Sequence, residues 1–169
     1  DRIVSRAETN VWLGETDFGT ADLSVLMRST TERRGPVLLA RGGLQRASGR
    51  TPLDRWFAGD TGQARSSLLR AHPVLQDGRL RVEQLGRFFA GVSIEAQHWW
   101  RLPRGVQAAG AIFTDAGRTD GRLEGGRRHD ADVGVGARLG MPGLPGILRI
   151  DLGKGLRDGA TALSVVYEP

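Results

Sequence analysis

In GAIFTDAGR (110–118) and GVSIEAQHW (91–99), Asp115 and Glu95 interrupt stretches that otherwise alternate like β-strands. A strand sends successive side chains to opposite faces. Glu95 therefore shares a face with Gly91, Ser93 and Gln97, and Asp115 shares one with Phe113 and Gly117. The short RLPRG turn (101–105) makes the two strands neighbours and brings both carboxylates to one polar face. Two chemistries are open to such a pair. Environments that push the two pKa values apart make an acid/base couple. Without that separation the pair repels in a low-dielectric setting and calls for a cation.

Little else in the chain has the form of catalytic machinery. There is no Gly-x-Ser-x-Gly elbow and no phosphate loop. GVGARLG (134–140) echoes a dinucleotide fingerprint, but it sits inside a strand pattern with no helix after it. The three histidines, His72, His98 and His129, fall far apart in different elements, so no metal site and no cofactor are expected. The chain contains no Cys, which excludes disulfides and thiolate metal sites. It carries 24 Lys+Arg against 19 Asp+Glu, for a net charge of +5, and Lys154 is its single lysine. These arginines are scattered singly and aromatics are few, so a nucleic-acid partner is not expected.

The elements that must position these residues are strands. Alternation predicts about eight: 3–13, 20–29, 36–46, 87–100, 106–116, 131–140, 146–153 and 160–168. The connectors GETDFG, TTERRG, LPRG, MPGLPG and KGLRDG are rich in turn formers. Two connections read as long loops, 47–86 and 117–130. Short turns at one end and long loops at the other suit an up-and-down antiparallel sheet.

The two faces of these strands differ in kind. One carries Gly, Ser, Arg, Asp and Glu, and the other carries medium-sized aliphatics, as in Val133, Val135, Ala137 and Leu139. In a transmembrane barrel the aliphatic face meets lipid and the polar face lines a lumen. Ile112, Thr114 and Ala116 then face lipid, while Phe113, Asp115 and Gly117 face inward. The other class compatible with alternation is a soluble β-sandwich or small ligand-binding barrel. HWWR (98–101) ends a strand at a short turn, where Trp99 and Trp100 suit an interfacial aromatic belt.

From about Arg34 to Pro169 the order of motifs resembles the C-terminal barrel half of the BamA/TamA-type bacterial surface antigen family, whose superfamily includes two-partner secretion transporters. The resemblance is carried by ARGGLQRASGRTPLDRWFAGD (40–60), with its aromatic-x-x-Gly turn at Trp56–Gly59, and by LRAHP (69–73). It is also carried by GVSIE (91–95), FTDAG (113–117) and GVGARLGMPGLPGILRIDLGKGL (134–156). It implies that the loop motif Leu69, Arg70, Ala71, His72 and Pro73 folds back into the lumen. There Arg70 would meet the strand acids Glu95 and Asp115, with Gly117 leaving room for the loop. The resemblance further implies that Arg149 and Asp151 would be lumen charges and that Leu163, Val165 and Tyr167 would belong to a terminal seam strand. Ala71 and His72 depart from the family's usual Gly and aromatic, and SVVYEP departs from its usual terminal aromatic.

The fold expected is all-β, an antiparallel up-and-down transmembrane β-barrel, with residues 1–169 supplying about eight C-terminal strands of a larger one. The family's POTRA repeats and N-terminal strands are expected to lie outside this chain. The function implied is non-enzymatic assembly, insertion or translocation of proteins at the bacterial outer membrane. The implied partners are the outer-membrane bilayer, client outer-membrane or secreted proteins, and periplasmic or lipoprotein assembly factors. A family barrel that anchors or exports a fused domain, such as a patatin-like lipase, is the alternative within the class.

Overall fold

The computed structural model describes residues 2–12, 17–58, 69–72, 75–76 and 79–168. The chain is all-β. Eight strands form one antiparallel sheet: β1 (Arg2–Trp12), β2 (Phe18–Arg28), β3 (Gly35–Ala47), β6 (Gly86–Arg101), β7 (Gln107–Arg122), β8 (Arg127–Gly140), β9 (Ile147–Gly155) and β10 (Thr161–Glu168). A two-residue pair, β4 (Leu75–Gln76) with β5 (Arg79–Leu80), lies in the long connection between β3 and β6. The strand order β1-β2-β3-β6-β7-β8-β9-β10 is up-and-down. The sheet is open, with β1 and β10 as its edges, and has the form of a partial barrel.

One expected loop is largely strand. β7 runs on to Arg122 and β8 begins at Arg127, so residues 117–130 are mostly paired ladder closed by a tight turn. Gly125 and Gly126 adopt positive φ there, which lets the turn close in few residues. The charges that suggested a solvated loop pair along and between the strands. Arg118 donates to Asp120, and Arg127 lies 3.8 Å from it.

Alternation sorts the side chains as the pleat requires. Gly91, Ser93, Glu95, Gln97 and Trp99 of β6 point to the concave face, as do Phe113, Asp115 and Gly117 of β7 and Asp132 and Arg138 of β8. The opposite parity, including Val92, Ile94, Ile112, Val135, Ile150 and Leu152, is exposed on the convex face. This corrects the aromatic belt. Trp100 is exposed, but Trp99 is its neighbour in the strand and must point the other way. It is buried against Val37, Leu39 and Ala109.

The sheet curls until strands far apart in order touch across its concave face. Leu26 of β2 and Ile147 of β9 pack on the same apolar cluster. Arg41 of β3 reaches Glu168 of β10, and Arg33 donates to the Gly146 carbonyl. A second apolar cluster, Trp56, Ala58 and Leu85, anchors both ends of the long connection, whose Phe57 bridges Gly86.

Candidate functional site

The ladder register builds an electrostatic conflict into the concave face. Asp115 stands directly across from Asp132 on β8, and Arg138 stands across from Arg149 on β9. Like charges in directly opposed positions destabilise a sheet. The side chains resolve the conflict by reaching diagonally and by taking in one segment of the long connection, Leu69–His72.

Arg70 is 2 % exposed and sits over the middle of the face. Its Nε and Nη2 donate to the two oxygens of Asp115, each at 3.0 Å, in the forked geometry a planar guanidinium allows. Nη1 donates to Glu95 Oε2 at 2.6 Å, Nη2 also donates to Ser93 Oγ at 3.0 Å, and Asp151 lies 3.6 Å from Nη1. The guanidinium carbon lies 3.4 Å from the centroid of the Phe113 ring, within cation–π range. Arg138 completes the group, contacting Glu95 at 2.7 Å and Asp151 at 2.6 Å. Arg149 bonds Asp151 at 3.1 Å and also pairs with Glu168. Three guanidiniums, Arg70, Arg138 and Arg149, thus face three carboxylates, Glu95, Asp115 and Asp151. The cluster is charge-neutral only with the loop arginine in it. Gln97 adds a donor to Glu95 at 2.6 Å and is itself held by the Trp99 indole at 2.7 Å.

The next two residues serve Asp132. The Ala71 amide donates to Asp132 Oδ2 at 2.8 Å, and His72 Nδ1 lies 2.8 Å from Asp132 Oδ1. On its other side, His72 Nε2 lies 3.1 Å from Asp158 and 3.8 Å from Asp130. Burial opposes charging of this imidazole, but the hydrogen bond and charge of Asp132, with Asp130 and Asp158 behind it, hold its pKa above the ordinary 6.5. The Ala160 amide, then His72 and Arg128, hold the Asp158 carboxyl below its usual range. Ala71 makes its turn without a positive φ.

Small residues on the face admit the loop. A Cβ at Gly153 would lie 3.0 Å from the Ala71 amide nitrogen and 3.1 Å from the Arg70 carbonyl carbon, so a side chain there excludes the loop backbone. At Gly117 a Cβ would lie 3.0 Å from Leu69 Cδ1, and Leu69 packs with Phe89 in that space. Gly91 similarly leaves room for the Phe89 ring.

The structure thus brings together Leu69, Arg70, Ala71, His72, Gly91, Glu95, Phe113, Asp115, Gly117, Arg149 and Asp151. Pro73 lies outside the described residues, as does Gly59 of the Trp56–Gly59 turn. Leu163, Val165 and Tyr167 are not in this site; they are exposed on the convex side of the edge strand β10, where Tyr167 bonds the Pro145 carbonyl. Parity puts Ser93, Gln97 and Arg138 on the polar face, but nothing in their spacing marks them as partners of the loop. Asp130, Asp132 and Asp158 carried no comparable signal of contact with the loop. Comparison of the chain with protein-family models and with curated proteins finds no match.

Proposed function

We propose that this chain is the C-terminal portion of an outer-membrane β-barrel of the BamA/TamA type. In this reading it serves, without an enzymatic step, the insertion or translocation of client proteins, and the Leu69–His72 segment is latched inside the lumen. The observation that carries the membrane reading is inverted polarity. The concave face buries a network of arginines and acids, while Leu163 is 68 %, Ile112 64 % and Val165 61 % exposed on the other side. A soluble sandwich buries its aliphatic face, and soluble monomers rarely expose apolar patches beyond a few hundred Å². Lipid removes the cost of that exposure, and a polar lumen accommodates the charges.

The order of sequence motifs supports the family. The latch is supported by one loop arginine balancing acids from three strands. Membrane fractionation tests the setting: the chain is expected in the outer-membrane fraction, released by detergent, and recovery as a soluble protein overturns the reading. Client assembly tests the role. Arg70→Glu is expected to lower outer-membrane protein assembly while the barrel itself remains in the membrane. Undiminished assembly overturns the latch.

A further inference from the structure

We propose that His72, Asp130 and Asp158 form a binding site for a zinc-type dication at the rim where the docked loop meets β8 and the β9–β10 turn. The site would tie three separate parts of the chain to one ion.

The ligand atoms are already close to the required spacing. Two ligands on one tetrahedral zinc, each about 2.1 Å from the metal, stand roughly 3.4 Å apart. His72 Nε2 lies 3.1 Å from Asp158 Oδ2 and 3.8 Å from Asp130 Oδ1, and one atom from each of the three residues lies within 4.8 Å of the others. Drawing the two carboxylates together by up to about 1.4 Å and adding one water would complete the coordination.

The other nitrogen of the imidazole is placed for this role. Asp132 Oδ1 is 2.8 Å from His72 Nδ1 without a hydrogen bond between them, so a small rotation of the ring would let the carboxylate hold the proton there and free the Nε2 lone pair for a metal. A carboxylate behind a ligating histidine is the usual support of a bound transition metal.

A separate observation points to a missing positive group. Asp130 is buried and its Oδ1, the oxygen nearest Nε2, has no hydrogen-bond partner, while its other oxygen is bonded by Arg128. A buried carboxylate oxygen left without a donor is costly. Asp130, Asp132 and Asp158 are paired with one arginine, Arg128, and one imidazole. Counting direct ion pairs alone, and with the imidazole neutral as a metal ligand must be, two negative charges are left over, which is the charge of a dication. Any proton on Nε2 leaves to solvent as the metal binds.

One nitrogen and two carboxylate oxygens favour zinc over calcium or magnesium, which take all-oxygen sets. Asp158 is partly exposed beside a cavity of about 240 Å³, which it lines with Asp130 and with Arg122, Arg127, Arg128 and Arg157, so an ion enters past four guanidiniums.

The test is calorimetric titration of Zn²⁺ into the detergent-purified chain after chelator treatment, with Co²⁺ absorption reporting coordination. One equivalent is expected to bind, with a tetrahedral-type Co²⁺ spectrum. Asp158→Asn, at the exposed rim, is expected to weaken binding at least about tenfold, and Asp132→Asn about 10- to 100-fold through the freed imidazole. Circular dichroism checks that each variant keeps its strands. His98→Gln and His129→Gln, both on the convex face, are expected to leave binding unchanged. The proposal is overturned by absence of saturable binding, by full affinity in a folded Asp158→Asn chain, or by loss of binding in the His98 or His129 variants.

Discussion

Replacing Arg70 by Gln removes the one loop charge from a group of three guanidiniums and three carboxylates. It leaves Asp115 directly across from Asp132 with neither fork nor countercharge. Both Arg70 and Asp115 are almost wholly buried, so solvent screens little of the loss. Breaking a buried, hydrogen-bonded pair by removing one partner costs about 3–5 kcal/mol. If that cost falls on docking of the loop, the docked population relative to the undocked drops roughly 150- to 5,000-fold. Amide hydrogen exchange reads this directly, because the Arg70 and Ala71 amides are held by Asp115 and Asp132 side chains rather than by a strand ladder. Both amides are expected to exchange faster by up to that factor, while amides in the β2–β3 ladder stay protected. Arg70→Lys keeps the charge but cannot fork onto Asp115 while reaching Glu95, so its exchange should fall between wild type and Gln. Adding Asp115→Asn to Arg70→Gln removes the stranded acid and should restore part of the protection. Acceleration below about tenfold in Arg70→Gln, or strictly additive effects in the double variant, would refute the reasoning that the loop is held by charge compensation.

Other perturbations separate the parts of the structure. Gly153→Val puts a side chain where the Arg70–Ala71 backbone lies and should undock the loop as Arg70→Gln does, read by the same exchange. Gly42→Ala, whose added Cβ meets nothing nearer than 4.0 Å, should leave that exchange unchanged. Asp132→Ala takes the acid from His72 and the acceptor from the Ala71 amide, and should release that amide with less effect on Arg70, seen as faster exchange confined to Ala71 and His72. Val135→Arg, on the convex face, should cost about 2–4 kcal/mol if that face meets the middle of a bilayer, measured by equilibrium unfolding in lipid vesicles. A surface facing water would tolerate it within about 0.5 kcal/mol.

The strands and their parity are legible in the residue pattern alone. Alternation is a local property with a period of two, so every residue of GVSIEAQHW and DVGVGARLG was assigned a face before any contact was known. Parity also determined that Glu95, Asp115, Arg149 and Asp151 share one side. It did not decide where strands end, because GRTDGRLEGGRRHD reads as a polar loop until cross-strand pairing of Arg127 and Asp120 turns most of it into ladder. Which charges meet depends on how the strands are brought together in the folded chain. Arg138 lies on the polar face by the same parity rule. Its contact with Glu95, two strands away, follows from curvature and from register, which puts Arg149 directly opposite it and forces it to reach sideways. His72 carried no sequence signal for its setting among Asp130, Asp132 and Asp158, since those acids reach it from β8 and from the β9–β10 turn. Alternation assigns a face, but pairing across that face depends on long-range register and on how far the sheet curls, and neither is written into any local stretch of the chain.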